Sequence, residues 1–222
     1  MFKKLAYKEW LKIRWFYLGC MVIGFAVIIS ILLNLRVLFE FQDASTIWYY
    51  VVFKNYLYYG DFRYIPLLIA VIIGISQFYP EMQNQRLKLN LHLPADENRM
   101  ILTLVLYGLT LIISLDAIFT FFLSWITFIY FPVQVFESML FTILPWFTAG
   151  ITAYFIAAAV MIEQLWGRRI ILLIIGYGLI NFLITDVNYL AYSRSISAFI
   201  IITILTGVII FLSGYRFKTG VR

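Results

Sequence analysis

Apolar residues fall along this chain in long runs set apart by short polar stretches, and the length of the runs identifies them. Six stand out, at 15–38, 64–79, 101–131, 139–162, 170–184 and 196–212. A membrane-spanning helix needs about 20 consecutive apolar residues, within a range of about 17–25. The pattern therefore predicts six spanning helices. The runs at 64–79 and 170–184 are short and must borrow flanking residues, such as 61–63 and 186–189. The run at 101–131 is too long for one upright span and too short for two, which predicts a helix that tilts or projects from the bilayer. The alternation of a membrane β-barrel is missing apart from one short zigzag. The expected fold class is all-α: a polytopic membrane protein forming one transmembrane domain over 1–222.

The polar stretches orient the bundle. Lys3, Lys4, Lys8, Lys12, Arg14, Arg86, Lys88, Arg99, Arg168, Arg169, Arg216, Lys218 and Arg222 fall at one set of span ends, 13 of the 17 basic residues. Only Arg36, Lys54, Arg63 and Arg194 fall at the other. The excess of lysine and arginine on cytoplasmic loops predicts both termini and the 80–100 loop inside. The opening "MFKKLAYKEWLKIRWF" mixes cations with Phe2, Leu5, Trp10, Leu11 and Trp15 at helical spacing. It reads as an interfacial helix over 1–14, or as a basic flank with no helix of its own. The first apolar run lacks a small-residue cleavage pattern and is expected to be a retained helix rather than a signal peptide. On the far side, 36–63 is the longest external loop, and "IWYYVVFKNYLYYG" within it fits an aromatic belt or a substrate vestibule.

Composition closes off other classes. With 64% hydrophobic and 13% charged residues, the chain lies outside the range of soluble globular domains. The lipid bilayer is its expected partner; nothing points to nucleic acid. Cys20 is the only cysteine, so no intrachain disulfide forms, and it reads as a small buried residue. His92 is the only histidine, which rules out a two-histidine metal site. No Gly-x-x-x-x-Gly-Lys-Ser/Thr occurs, so no nucleotide phosphate is cradled here, and no side-chain constellation calls for an enzyme. "GYG" at 176–178 is expected to serve close helix packing. Pro145 and Gly150 mark a hinge or a static kink in the fourth run. Asp116 falls near the middle of the third run, where an ionisable group costs about 2.5–3.5 kcal/mol on insertion scales. Two readings stand for it: a structural one, protonated or hydrogen-bonded to a neighbouring helix, or a role in orienting substrate or relaying a proton.

The longest polar segment, "PEMQNQRLKLNLHLPADENRM" at 80–100, contains the zigzag, in which Arg86, Lys88, Asn90 and His92 alternate with leucines. A lone strand would leave its edge unpaired, so a short helix is expected, one side against the bundle and the other against a separate cytoplasmic protein. A solvated loop is the alternative. Pro94 should end that element, and "PADE" should start the next helix with Asp96 and Glu97 at its positive end.

This segment resembles the region after the second span in permeases of the ATP-binding-cassette (ABC) type-2 exporter family. The pattern has an acidic residue, a glycine four positions on, leucines, and a proline nine further along. Glu81, Leu87, Leu93 and Pro94 match it, while Gln85 stands where the family has glycine. The resemblance implies that Glu81, Arg86, Leu87, Lys88, Leu89, His92, Leu93 and Pro94 form an ATPase-coupling segment. It also implies a separate nucleotide-binding subunit holding ATP and magnesium, so that this chain carries no cofactor of its own. The permease would pair with itself or with a sister permease in a bacterial plasma (inner) membrane. In the family's arrangement the second and fifth spans line the pair's interface, which would place Gly74, Ser76 and Gln77, and Gly176, Gly178 and Asn181, along it. Asp116, Gln77 and Asn181 are the candidates for an intramembrane polar site or substrate path. The expected function is export of a lipid, peptide or drug. The alternatives are a secondary transporter using Asp116 for a proton or cation, and a non-transporting scaffold.

Overall fold

A computed structural model describes residues 2–83, 97–185, 192 and 195–219 of the chain. Arg86, Leu87, Lys88, Leu89, His92, Leu93 and Pro94, the core of the zigzag, lie outside the described residues, as does 186–189. All regular structure among the described residues is helical. The elements are α1 (Phe2–Phe41), α2 (Ala44–Phe53), a 3₁₀-helix (Gly60–Tyr64), α3 (Ile65–Met82), α4 (Glu97–Tyr130), α5 (Val133–Ile162), α6 (Trp166–Ile184) and α7 (Ile196–Thr219). Six of them are long and apolar enough to cross a membrane, with α2 the short exception.

The elements follow the apolar runs, with instructive differences. The short second run borrows from its N-terminal flank as expected, because the 3₁₀-helix feeds straight into α3 and extends the candidate span to Gly60–Met82. The fifth borrows from the other end than 186–189, beginning at Trp166. The third run forms one unbroken helix of 34 residues, about 51 Å at the α-helical rise. Its described part runs from Glu97, and the start expected at "PADE" lies at the edge of the described residues. The basic opening is not set off from the first span: α1 is continuous over 40 residues, about 60 Å. A single stripe on it turns inward, made by Glu9, Ile13, Cys20, Gly24, Ile28, Ile31 and Leu35, all buried. That stripe is the period of a helix packed on one side and open to lipid on the rest.

Six spans joined in series put the start of α1, the end of α3, the start of α4, the end of α5, the start of α6 and the end of α7 at one end of the bundle. Side-chain contacts agree, since Lys12 reaches Glu81 and Arg216 approaches Glu163. The other end is capped by the segment between α1 and α3. α2 buries Ile47 and Val51, and Tyr58, Tyr59 and Phe62 enter the core. Tyr58 stacks on Phe131 at 4.7 Å between ring centres and shares a 2.6 Å hydrogen bond with Thr127. Trp48, Tyr49, Tyr50 and Phe53 stay exposed. The aromatic segment is thus divided between a core plug and an outward rim.

At the centre α3 packs along α5, the most buried of the spans. Water-driven burial does not hold helices together in lipid, so contact requires close approach. Small residues supply it: a Cβ on Gly150 would lie 2.9 Å from the Pro66 carbonyl oxygen, and one on Gly74 would lie 3.1 Å from Ala157 Cβ. Pro145 sits inside α5 without interrupting it, and the Thr148 hydroxyl donates to the Pro145 carbonyl at 2.8 Å. Hydroxyl pairs fasten the outer helices: Tyr17 with Ser114 between α1 and α4, and Thr152 with Thr203 between α5 and α7, each at 3.0 Å.

The α3–α5 approach yields a direct test. Gly150→Ala forces a methyl against backbone and should cost about 1–3 kcal/mol. Gly178→Ala should cost nothing, because its Cβ meets no atom within 4 Å. Thermal unfolding in mild detergent checks both, and equal melting temperatures for the two variants would refute the packing argument.

Candidate functional site

The last turn of α3 carries Glu81, which is 2% exposed although it is an acid at a helix end. Lys12 of α1 explains its burial. Lys12 Nζ lies 2.8 Å from Glu81 Oε1 and 2.6 Å from Glu9 Oε1, while the more exposed Lys8 reaches Glu81 Oε1 at 3.1 Å. Glu9 is itself 1% exposed. One ammonium therefore serves two buried carboxylates, and the start of α1 is fastened to the residue that leads into 84–96. Buried ions tolerate this only when paired and hydrogen-bonded.

One turn deeper, a relay crosses three helices. The Tyr154 hydroxyl of α5 donates to Gln77 Oε1 of α3 at 2.9 Å. Gln77 Nε2 donates to the Leu104 carbonyl of α4 at 2.7 Å. Both side chains are fully buried. Gly108 makes the meeting point possible, since any Cβ there would collide with the Tyr154 hydroxyl and Gln77 Oε1. A third polar cluster stands at the same end of the bundle. Glu163, 3% exposed at the end of α5, lies 3.7 Å from Arg168 and 3.9 Å from Arg216, and its carbonyl accepts from Arg169 Nε at 2.7 Å. It links the end of α5, the start of α6 and the end of α7.

The structure separates the sequence candidates. Glu81 lies at the mouth of the expected coupling segment and is held by α1. Gln77 faces inward and bonds α4 and α5, so it belongs to the packing of one protomer. Gly74 also points to α5, and Ser76 is buried with its hydroxyl on the Ile73 carbonyl. The outward stripe of α3 is apolar instead, carrying Ile75 and Tyr79. In α6, Gly176 seats Ile156 in close packing, Gly178 is open, and Asn181 is exposed on the outer side. Asp116 is 5% exposed and lies apart from these, on a groove between α4 and α5.

Glu9, Lys12, Glu163, Tyr154 and Gly108 escaped the sequence reading as site residues. Glu9 left a trace there: it continues the inward stripe of α1 four residues before Ile13. Glu163 left only its place beyond an apolar run. Tyr154 is one of 16 tyrosines, and nothing local sets it apart.

Lys12→Ala leaves two buried carboxylates without their shared cation and should destabilise the protein by about 3–5 kcal/mol. Lys8→Ala, at a 47% exposed side chain, should have little effect. Tyr154→Phe strips the Gln77 oxygen of its donor and should cost about 1–3 kcal/mol. Denaturation in detergent ranks the three, and a Lys8 effect equal to that of Lys12 would overturn the assignment. Comparison with family models, curated proteins and solved structures returned no match for this chain.

Proposed function

We propose that the chain is the membrane-spanning subunit of an ABC transporter of the type-2 exporter kind. It moves a hydrophobic or amphipathic substrate with ATP hydrolysed by a separate subunit, in a membrane where both chain termini face the cytoplasm. The observation that carries this reading is the clamp of Lys12 on Glu81. A segment that transmits force from a docked motor must be tied to the spans it moves. Here the residue at its mouth is held by two lysines of α1 and continues directly into α3.

Two further features support it. Buried carboxylates at this end, Glu81 and Glu163, are each bridged by cations of other helices, so load applied there is shared by α1, α3, α5, α6 and α7. The same end carries most of the basic residues, the side that faces the cytoplasm under the positive-inside rule. In this reading 80–100 receives the motor, two permeases pair, and rocking of the two bundles opens a path between them. The outward apolar stripe of α3 and the exposed face of α6 offer that pairing surface, with Asn181 on it.

The test is purification from native membranes in mild detergent. A stoichiometric nucleotide-binding subunit should be retained, and should be lost with Leu89→Asp or Leu93→Asp while the permease stays folded. Retention in both variants rejects the coupling assignment. Ion-driven transport that needs no nucleotide and disappears in Asp116→Asn would replace it with a secondary transporter.

A further inference from the structure

Asp116 sits next to the midpoint of the candidate span Met100–Tyr130 and is 5% exposed. Its Oδ1 has no hydrogen-bond partner among the described residues. The neighbouring hydroxyls do not supply one: Ser114 donates to the Leu111 carbonyl and pairs with Tyr17, and Thr120 donates to the Asp116 carbonyl rather than its carboxyl. An unmet acceptor at this depth is expensive unless something outside the protomer meets it.

The carboxyl lines a lateral groove of about 640 Å³ between α4 and α5. That volume lies within the roughly 300–1,000 Å³ of small-molecule sites. Its walls are apolar, with Ile113, Phe121, Phe136, Phe147 and Ile151, and its polar members are Asp116, Thr120 and Ser124, one helical turn apart on α4. No lysine or arginine lines it. The site is therefore an apolar, aromatic trough with one buried acidic group in its wall.

We infer that this groove binds a single-tailed amphiphile with an ammonium head, its nitrogen on Asp116 and its tail along the phenylalanines. Charge complementarity selects this occupant. An anionic head would meet a carboxylate with no cation beside it. A zwitterionic phospholipid would bring its phosphate to the same place, so a net cationic, membrane-dissolved molecule is the chemistry that fits. The place of this site in a transport cycle rests on the permease reading above, whereas binding itself does not.

The experiment uses the full chain in phosphatidylcholine nanodiscs, with empty nanodiscs as the partitioning control. Labelled dodecylammonium and 1-dodecanol are the probes, matched in tail and different in head. Dodecylammonium should bind saturably and at least tenfold tighter than the alcohol. Asp116→Asn should erase that preference without lowering the melting temperature, and Ala117→Trp, which fills the trough from an exposed wall position, should exclude both probes. Equal binding of the two probes, or a preference that survives in Asp116→Asn, would overturn the proposal. So would dissociation of a dimer in Asp116→Asn with amine binding unchanged, which would give the carboxyl to a second copy. Should Asp116→Asn fail to assemble, Ala117→Trp decides: loss of amine binding supports the site and retention rejects it. Neither probe needs the ATPase, so failure here leaves the coupling test standing, and loss of the coupling assignment leaves this one readable.

Discussion

The approach of α3 to α5 is the contact on which the rest of the bundle depends. In lipid, apolar side chains gain little by meeting each other, so helices stay together where backbones come close and polar groups are met. Gly150 and Gly74 allow the first, and the Tyr154–Gln77–Leu104 relay supplies the second. α4 joins that pair through Gln77, and α7 through the threonine pair on α5.

Ionic contacts take over where the helices leave the apolar layer. Lys12 is placed so that neither Glu9 nor Glu81 is buried without a cation, and Glu163 draws on two arginines from other elements. The two clusters differ in strength. Distances of 2.6–3.1 Å around Lys12 make charge-assisted contacts, while 3.7 and 3.9 Å around Glu163 make looser pairing. The ion pairs at the α1–α3 junction are accordingly the closer of the two sets.

Much of this architecture is written in local patterns, and what is not depends on long-range pairing. Span number and helical class follow from run length alone, since each run either reaches across a bilayer or does not. The inward side of α1 is readable because its small and branched residues recur at helical spacing. The α3 interior was less readable: Gln77 looks like an interface residue until Tyr154, 77 positions away, is seen to occupy it. Gly108 is silent for the same reason, because its role is to leave space for two side chains on other helices. The aromatic segment between α1 and α3 shows the limit from another side. Its composition matches a membrane rim, yet Tyr58, Tyr59 and Phe62 are swallowed by the core while their neighbours stay outside, a division set by α4 and α5 rather than by the segment itself. For Asp116, sequence gave depth and cost; the groove and the unmet oxygen needed the fold.

One consequence follows from the uninterrupted length of α1. A rod of about 60 Å is roughly twice the thickness of the hydrocarbon layer. Its first turns are gripped at Glu81, and its far end carries the α2 cap over the opposite mouth of the bundle. With no proline or break between Phe2 and Phe41, one continuous helix runs from the Lys12–Glu81 contact to the α2 cap. A single rigid rod thus connects the two ends of the bundle.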